Sequence, residues 1–168
     1  TGIEERRIAG PDEHTSTMGT ASAKKALEAA HVRPEDVDLI IVATMTPDYI
    51  SPSTAGIIQH NIGAVKAAAI DLQAACSGFL YALSTAKAYI ESSIYKTVLV
   101  VAAEKMSAFI DYTDRNTCIL FGDGSCSAVI SSEGEGWAID AMTLGAQGEF
   151  ADLIIIPGGG ARHPAKTE

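Results

Sequence analysis

The chain has 168 residues, 47% hydrophobic and 20% charged, with a formal net charge of −9. That describes one ordinary globular domain with room for a sizeable core. The twelve Lys and Arg residues are scattered, only Arg6-Arg7 and Lys24-Lys25 being adjacent, so no basic stripe offers itself to nucleic acid. The apolar runs Leu39–Ala43 and 98–103 are far too short to span a bilayer, so no membrane partner is expected. Three cysteines, Cys76, Cys118 and Cys126, form an odd set without metal-ligand spacing. That argues against a disulfide framework or a zinc site and suits a reducing cytoplasm.

Residues 1–11 read as an irregular lead-in carrying Glu4, Glu5, Arg6 and Arg7. Thr15 or Ser16 caps a helix running to about His31, with Met18, Ala21, Leu27 and Ala30 inward and Lys24, Lys25 and Glu28 outward. The continuous apolar run over 38–44 predicts a strand buried on both faces. Pro47 and Pro52 punctuate the next loop, and a helix over 53–62 ends at Gly63. A strand over 67–72, a helix over 77–92 and a strand over 97–103 follow. This β-α-β-α-β order predicts a mixed, mostly parallel α/β sheet with helices on both faces.

Beyond Glu104 the pattern changes. Residues 106–116 read as loop, and Gly122-Asp123-Gly124 as a turn. Strands over 125–131 and 137–144 predict an antiparallel hairpin joined through 133–136, with one more short strand over 153–156. The lead-in and the connective end at 162–168 lead us to expect a piece of a longer chain.

The most informative stretch is Asp71-Leu72-Gln73-Ala74-Ala75-Cys76-Ser77-Gly78-Phe79-Leu80. A strand ends just before Cys76 and a helix begins just after it. The sulfur is therefore expected at a helix N-terminus, where partial positive charge favours a thiolate. Small neighbours let the backbone turn tightly and a substrate approach. This is the context of an activated nucleophile. An α/β-hydrolase elbow wants glycine two positions before the nucleophile, where Ala74 stands. Cysteine is more often core than catalytic, and Cys118 and Cys126, in packed-looking segments, are read as core. Phe79, Leu80, Leu83, Ala86 and Ile90 are expected to pack along the helix. The four histidines, His14, His31, His60 and His163, have no metal-like spacing.

Four stretches together resemble the N-terminal half of the β-ketoacyl-acyl carrier protein synthase III family, which has the thiolase fold. They are Thr1-Gly2-Ile3 with Arg6 and Arg7, Ala74-Ala75-Cys76-Ser77-Gly78-Phe79, Asp114-Arg115-Asn116-Thr117 through Phe121-Gly122-Asp123-Gly124, and Gly158-Gly159-Gly160-Ala161-Arg162-His163-Pro164. The resemblance implies that Cys76 accepts an acyl group from acyl-coenzyme A as a thioester, its backbone N–H serving as one oxyanion donor. It implies that Arg115 stacks on the coenzyme A adenine, and that Met106 and Phe121 line the acyl pocket. Pro52 matches a loop that reaches a partner subunit.

The family's histidine and asparagine, which decarboxylate malonyl-acyl carrier protein, belong to its C-terminal half. None of this chain's histidines lies in a segment resembling that motif. The resemblance thus implies one thiolase-like domain over 1–168, lacking the family's first strand and the C-terminal half. It further implies a cytoplasmic acyltransferase of fatty acid biosynthesis, acting as a homodimer on acyl-coenzyme A and malonyl-acyl carrier protein, with no separate cofactor. Two alternatives stand beside it. One is another thiolase-fold condensing enzyme, hydroxymethylglutaryl-coenzyme A synthase-like or polyketide-type. The other is a non-condensing acyl-binding or scaffold subunit.

Overall fold

All five residues of β1 (Leu39–Ala43) are buried, and the rest of the fold covers that strand on both faces and both edges. The computed structural model describes residues 2–165. Thr1 of the first quoted motif, and Lys166-Thr167-Glu168 of the expected connection, lie outside the described residues. A strand apolar on both faces takes the middle of a parallel sheet. β2 (Ala68–Leu72) pairs parallel along one edge, with Ala43 opposite Leu72. β3 (Thr97–Lys105) pairs parallel along the other, with Ala43 opposite Ala102. β4 (Asp123–Ser131) runs antiparallel to β3, Lys105 facing Asp123 and Ala102 facing Cys126. The order is β2-β1-β3-β4.

The pleat sorts neighbouring residues to opposite faces. Ile40, Val42, Leu99 and Val101 meet α1 (Thr15–Ala29) and α2 (Thr54–Ile62) through Ala23, Leu27, Ala55, Ile58 and Ile62. Leu39, Ile41, Val98 and Val100 meet Ala82 and Ala86 of α3 (Gly78–Glu91). Fully burying each large aliphatic side chain is worth about 1.5–3 kcal/mol, so these two layers fix the arrangement. α2 is capped twice. The Ser53 hydroxyl accepts from Gly56 N at 3.2 Å, and the Asp71 carboxylate, reaching over from β2, accepts from Thr54 N and Ala55 N at 2.8 and 2.7 Å. Gly63 ends α2 at φ +79, a conformation open to glycine.

Six sequence expectations are corrected. α1 starts at Thr15, but the residue before it is His14, whose side chain makes no cap; the cap comes from Asp48. Thr15 and Ser16 are instead buried in its first turn, where the Thr15 hydroxyl donates to Thr46 O and Ser16 N donates to Asp48. Its inward face is Gly19, Ala23 and Leu27, while Ala21 and Ala30 are exposed. The close approach to α2 sets this phase, because a Cβ at Gly19 would lie 2.5 Å from Ile58 Cδ1.

The second hairpin strand over 137–144 does not form, nor does a strand over 153–156. Residues 148–153 make a 3₁₀ segment. β4 pairs with β3 through nine registered positions, a partner that local alternation cannot reveal, and its other edge has no strand partner among the described residues. Asp123 and Gly124 are not a turn but the first residues of β4. Leu80 is exposed, because the sheet-facing side of α3 runs through Ala82 and Ala86. No helix among the described residues is long and apolar enough to cross a membrane.

Candidate active site around Cys76

β2 ends at Leu72, and α3 starts only at Gly78. In between, Ala75 takes φ +46, the left-handed region that L residues rarely adopt. A single 3₁₀ turn, Ala75–Ser77, follows, and exposed Cys76 sits in its middle. Cys76 therefore stands just before the Ser77 N-cap of α3, as the strand–cysteine–helix order suggested, with a 3₁₀ turn inserted at the junction. The left-handed residue breaks the helical path and tightens the approach. Behind the turn, a Cβ on Gly78 would lie 3.1 Å from the Ala43 Cβ, so α3 and β1 touch almost backbone to backbone.

A cavity of about 300 Å³ opens beside Cys76 at the carboxyl ends of β1 and β3, where open α/β sheets place ligands. Its floor includes one row across three strands, Ala43, Ala102 and Cys126, all on the α3 side of the sheet. Phe79, Met106 and Phe121 supply apolar wall. Among the described residues, the lining's polar side chains are Cys76, Cys126 and Glu104; Ser125 also borders it, but its hydroxyl bonds Ser22 of α1 on the other face of the sheet. No histidine or asparagine among the described residues lines it.

Of the residues singled out from sequence, Cys76, Met106 and Phe121 come together in this cavity. Arg115 does not join them. It stands exposed on the loop between β3 and β4 and makes no ion pair or hydrogen bond through its guanidinium among the described residues. The loop is shaped by two aspartates. Asp111 accepts from Thr113 N and Oγ1, and Asp114 from Asn116 N and Thr117 Oγ1. Asp114 thus turns to its own loop rather than to Arg115. Pro52, joined to Ser51 by a cis peptide bond, is exposed and outside the lining.

Three contributors were not legible as such. Phe79, expected as core, lines the cavity. Cys126, also expected as core, is exposed, because α3 covers the Val98 and Val100 rows but leaves the Cys126 end of the next row open. Glu104 closes the apolar run of β3 with a carboxylate, and that charge at the carboxyl end of a buried strand was the available signal. Its Oε1 accepts from Met45 N at 2.8 Å and its Oε2 from the Thr46 hydroxyl at 2.6 Å. Burial pushes its carboxyl above the usual glutamate range against those hydrogen bonds.

At the Met106–Phe121 side, Asp123 gathers three segments. Its carboxylate accepts from Ser107 N, the Ser107 hydroxyl and Ala9 N, while its own N–H donates to Arg7 O at 2.8 Å. Partial burial works to raise its carboxyl, but the hydrogen bonds from Ser107 and Ala9, with the Lys105 charge, outweigh this and hold it below the usual aspartate range. Arg6 Nε donates to Ile119 O, so the lead-in straps the loop that carries Arg115. Cys76, Cys118 and Cys126 are free thiols, and no cluster of three metal-binding side chains exists among the described residues.

Residues 70–148 match the family model described as 3-oxoacyl-[acyl-carrier-protein (ACP)] synthase III. A β-ketoacyl-[acyl-carrier-protein] synthase III of Chlamydia pneumoniae is 50% identical over 169 residues, covering 100% of this chain and 50% of that protein. A crystal structure of a 3-oxoacyl-(acyl-carrier-protein) synthase III aligns with TM-score 0.90 at 36% identity, covering 99% of this chain and 50% of that one. The priming β-ketosynthase from the R1128 polyketide biosynthetic pathway aligns with TM-score 0.76 at 47% identity, covering 78% of this chain and 39% of that one. The chain spans about half the length of the curated relatives it matches. Along its whole length in sequence, and in its thiolase-like fold, the chain is similar to about half the length of the β-ketoacyl-acyl carrier protein synthase III proteins it matches.

Proposed function

We propose that this chain is the acyl-accepting part of a β-ketoacyl-acyl carrier protein synthase III-type acyltransferase. The observation that carries the proposal is the exposed Cys76 on a strained turn, facing an apolar cavity walled by Met106 and Phe121. In the first step the Cys76 thiol releases its proton to solvent water, and its thiolate attacks the thioester carbonyl of acyl-coenzyme A. The backbone N–H of Cys76 serves as one donor to the oxyanion that forms. The carbon–sulfur bond to coenzyme A then breaks, its thiolate takes up a proton, and the acyl group stays on Cys76.

In the second step malonyl-acyl carrier protein loses carbon dioxide, and its carbanion displaces Cys76 to give the β-ketoacyl product. Among the described residues no histidine or asparagine stands at the cavity to assist that step, and in this reading the groups that drive it come from the family's other half. Arg115, exposed and unpaired, is free to stack on the coenzyme A adenine once its loop meets the ligand. Residues 1–168 act as one domain, and three free thiols fit a cytoplasmic setting.

The homodimer contact runs along β2, which among the described residues is hydrogen-bonded on one edge only and leaves Ile70 exposed. A polyketide-type priming role is the second reading, favoured by the 47% identity to the R1128 enzyme.

Intact-mass spectrometry of the chain incubated with acyl-coenzyme A is the test. An acyl adduct that disappears in Cys76→Ala is the expected result. Absence of any adduct on the unmodified chain overturns acyl transfer and favours a scaffold role. Condensation product formed by this chain alone with malonyl-acyl carrier protein overturns the assignment of the second step to the other half.

A further inference from the structure

Two thiols line one cavity, and only Cys76 has a role in the proposed chemistry. Cys126 belongs to the row Ala43–Ala102–Cys126 that forms part of the floor. The other two members of that row are methyl groups, flush with the sheet. Cys126 is the only side chain in the row that projects further, and it is exposed rather than packed. Its position is also well defined. It is held on β4 by antiparallel pairing to β3, opposite Ala102, whereas Met106 sits in a single 3₁₀ turn and Phe121 in coil. A residue on a paired strand holds its atoms more precisely than one on a loop. A soft, polarisable sulfur also packs well against a hydrocarbon tail.

We infer that Cys126 sets the depth of the cavity that opens at Cys76, and so selects acyl groups by chain length. The selection among acyl groups rests on the acyl-transfer function proposed above, but the depth of the cavity does not. A cavity of about 300 Å³ is at the small end for ligand sites, so a change of one side chain on its floor alters which tails fit. Enlarging position 126 shortens the usable tail, and trimming it lengthens the tail.

The test compares the full chain with Cys126→Phe and Cys126→Ala, using two probes. N-alkylmaleimides of increasing tail length are reacted with each protein, and alkylation is read at the peptide containing Cys76. The acyl arm uses coenzyme A thioesters from acetyl to hexanoyl. In Cys126→Phe the ratio of long-tail to short-tail rate at Cys76 falls about tenfold or more, the size of effect one or two methylenes have in an apolar pocket. In Cys126→Ala the ratio rises.

The same tail-length profile in all three proteins overturns the inference. A shifted maleimide profile without any acyl adduct supports the depth assignment while the acyl-transfer function falls. Acyl adducts with an unchanged length preference overturn the inference while that function stands.

Discussion

The Glu104 carboxylate accepts the Thr46 hydroxyl at 2.6 Å, joining the end of β3 to the loop that leaves β1. The same carboxylate accepts Met45 N, and Thr46 Oγ1 in turn accepts Lys105 N at 2.8 Å. Glu104 and Met45 both line the cavity beside Cys76. One side chain therefore braces the wall against which a tail would lie. Removing it in Glu104→Ala leaves the Met45 N–H and the nearly inaccessible Thr46 hydroxyl without their acceptor, at a cost of about 1–3 kcal/mol. Urea denaturation of the variant measures that loss.

Because burial raises the Glu104 carboxyl, its pH dependence has a definite sign. Just above the ordinary glutamate range the folded chain holds this proton more than the unfolded chain does, so stability from this group falls as pH rises. Glu104→Gln has no titrating group there. The stability difference between the parent chain and Glu104→Gln therefore shifts against the parent as pH increases through that window, measured by urea midpoints at a series of pH values. A difference independent of pH contradicts the prediction.

Asp123 has the opposite sign. Its carboxyl is held down in the folded chain, so its contribution is present above the unfolded aspartate range and is lost as pH falls through the lower folded value. Asp123→Asn removes that part of the acid sensitivity. It also weakens the hold on Ala9 N, which amide hydrogen exchange at Ala9 reads as faster opening than in the parent.

Gly78 separates α3 from β1 by less than a side chain. A Cβ there meets the Ala43 Cβ at 3.1 Å, and that atom is fixed to a central strand. Gly78→Val forces the start of α3 away from the sheet, with an expected cost of about 1–3 kcal/mol. The displacement also moves the Cys76 turn, so the rate of Cys76 alkylation by a small maleimide changes with it.

Ala75 carries left-handed backbone next to Cys76. Glycine adopts that conformation without a Cβ clash, so Ala75→Gly raises stability by up to about 1 kcal/mol, net of glycine's greater unfolded-state freedom. A β-branched residue fits the region worse, and Ala75→Val lowers stability by about 1–3 kcal/mol. Equal stability of the two variants would remove the argument for strain at this turn. Chemical denaturation compares them directly.

Much of the fold was legible because it is written in local pattern. The doubly buried β1 announced itself as an uninterrupted aliphatic run, and α2 carried both its stops, Ser53 and Gly63. The strand–Cys76–helix order was equally plain. Illegible parts depend on partners distant in sequence. The alternation over 137–144 looks like a strand but finds no ladder among the described residues, while β4 takes its partner, β3, from far back in the chain. In the same way, the phase of α1 depends on Ile58, some forty positions away, pressing against Gly19.

The cysteine at the strand-to-helix junction was determined by sequence alone, since residue order and small neighbours suffice to make a tight turn. The left-handed residue beside it, and its company, were decided by tertiary structure. Met106, Phe121, Glu104 and Cys126 reach Cys76 only because β3 pairs with both β1 and β4. The register of a sheet is set by backbone hydrogen bonds and buried faces across segments far apart in the chain, and no local spacing encodes it.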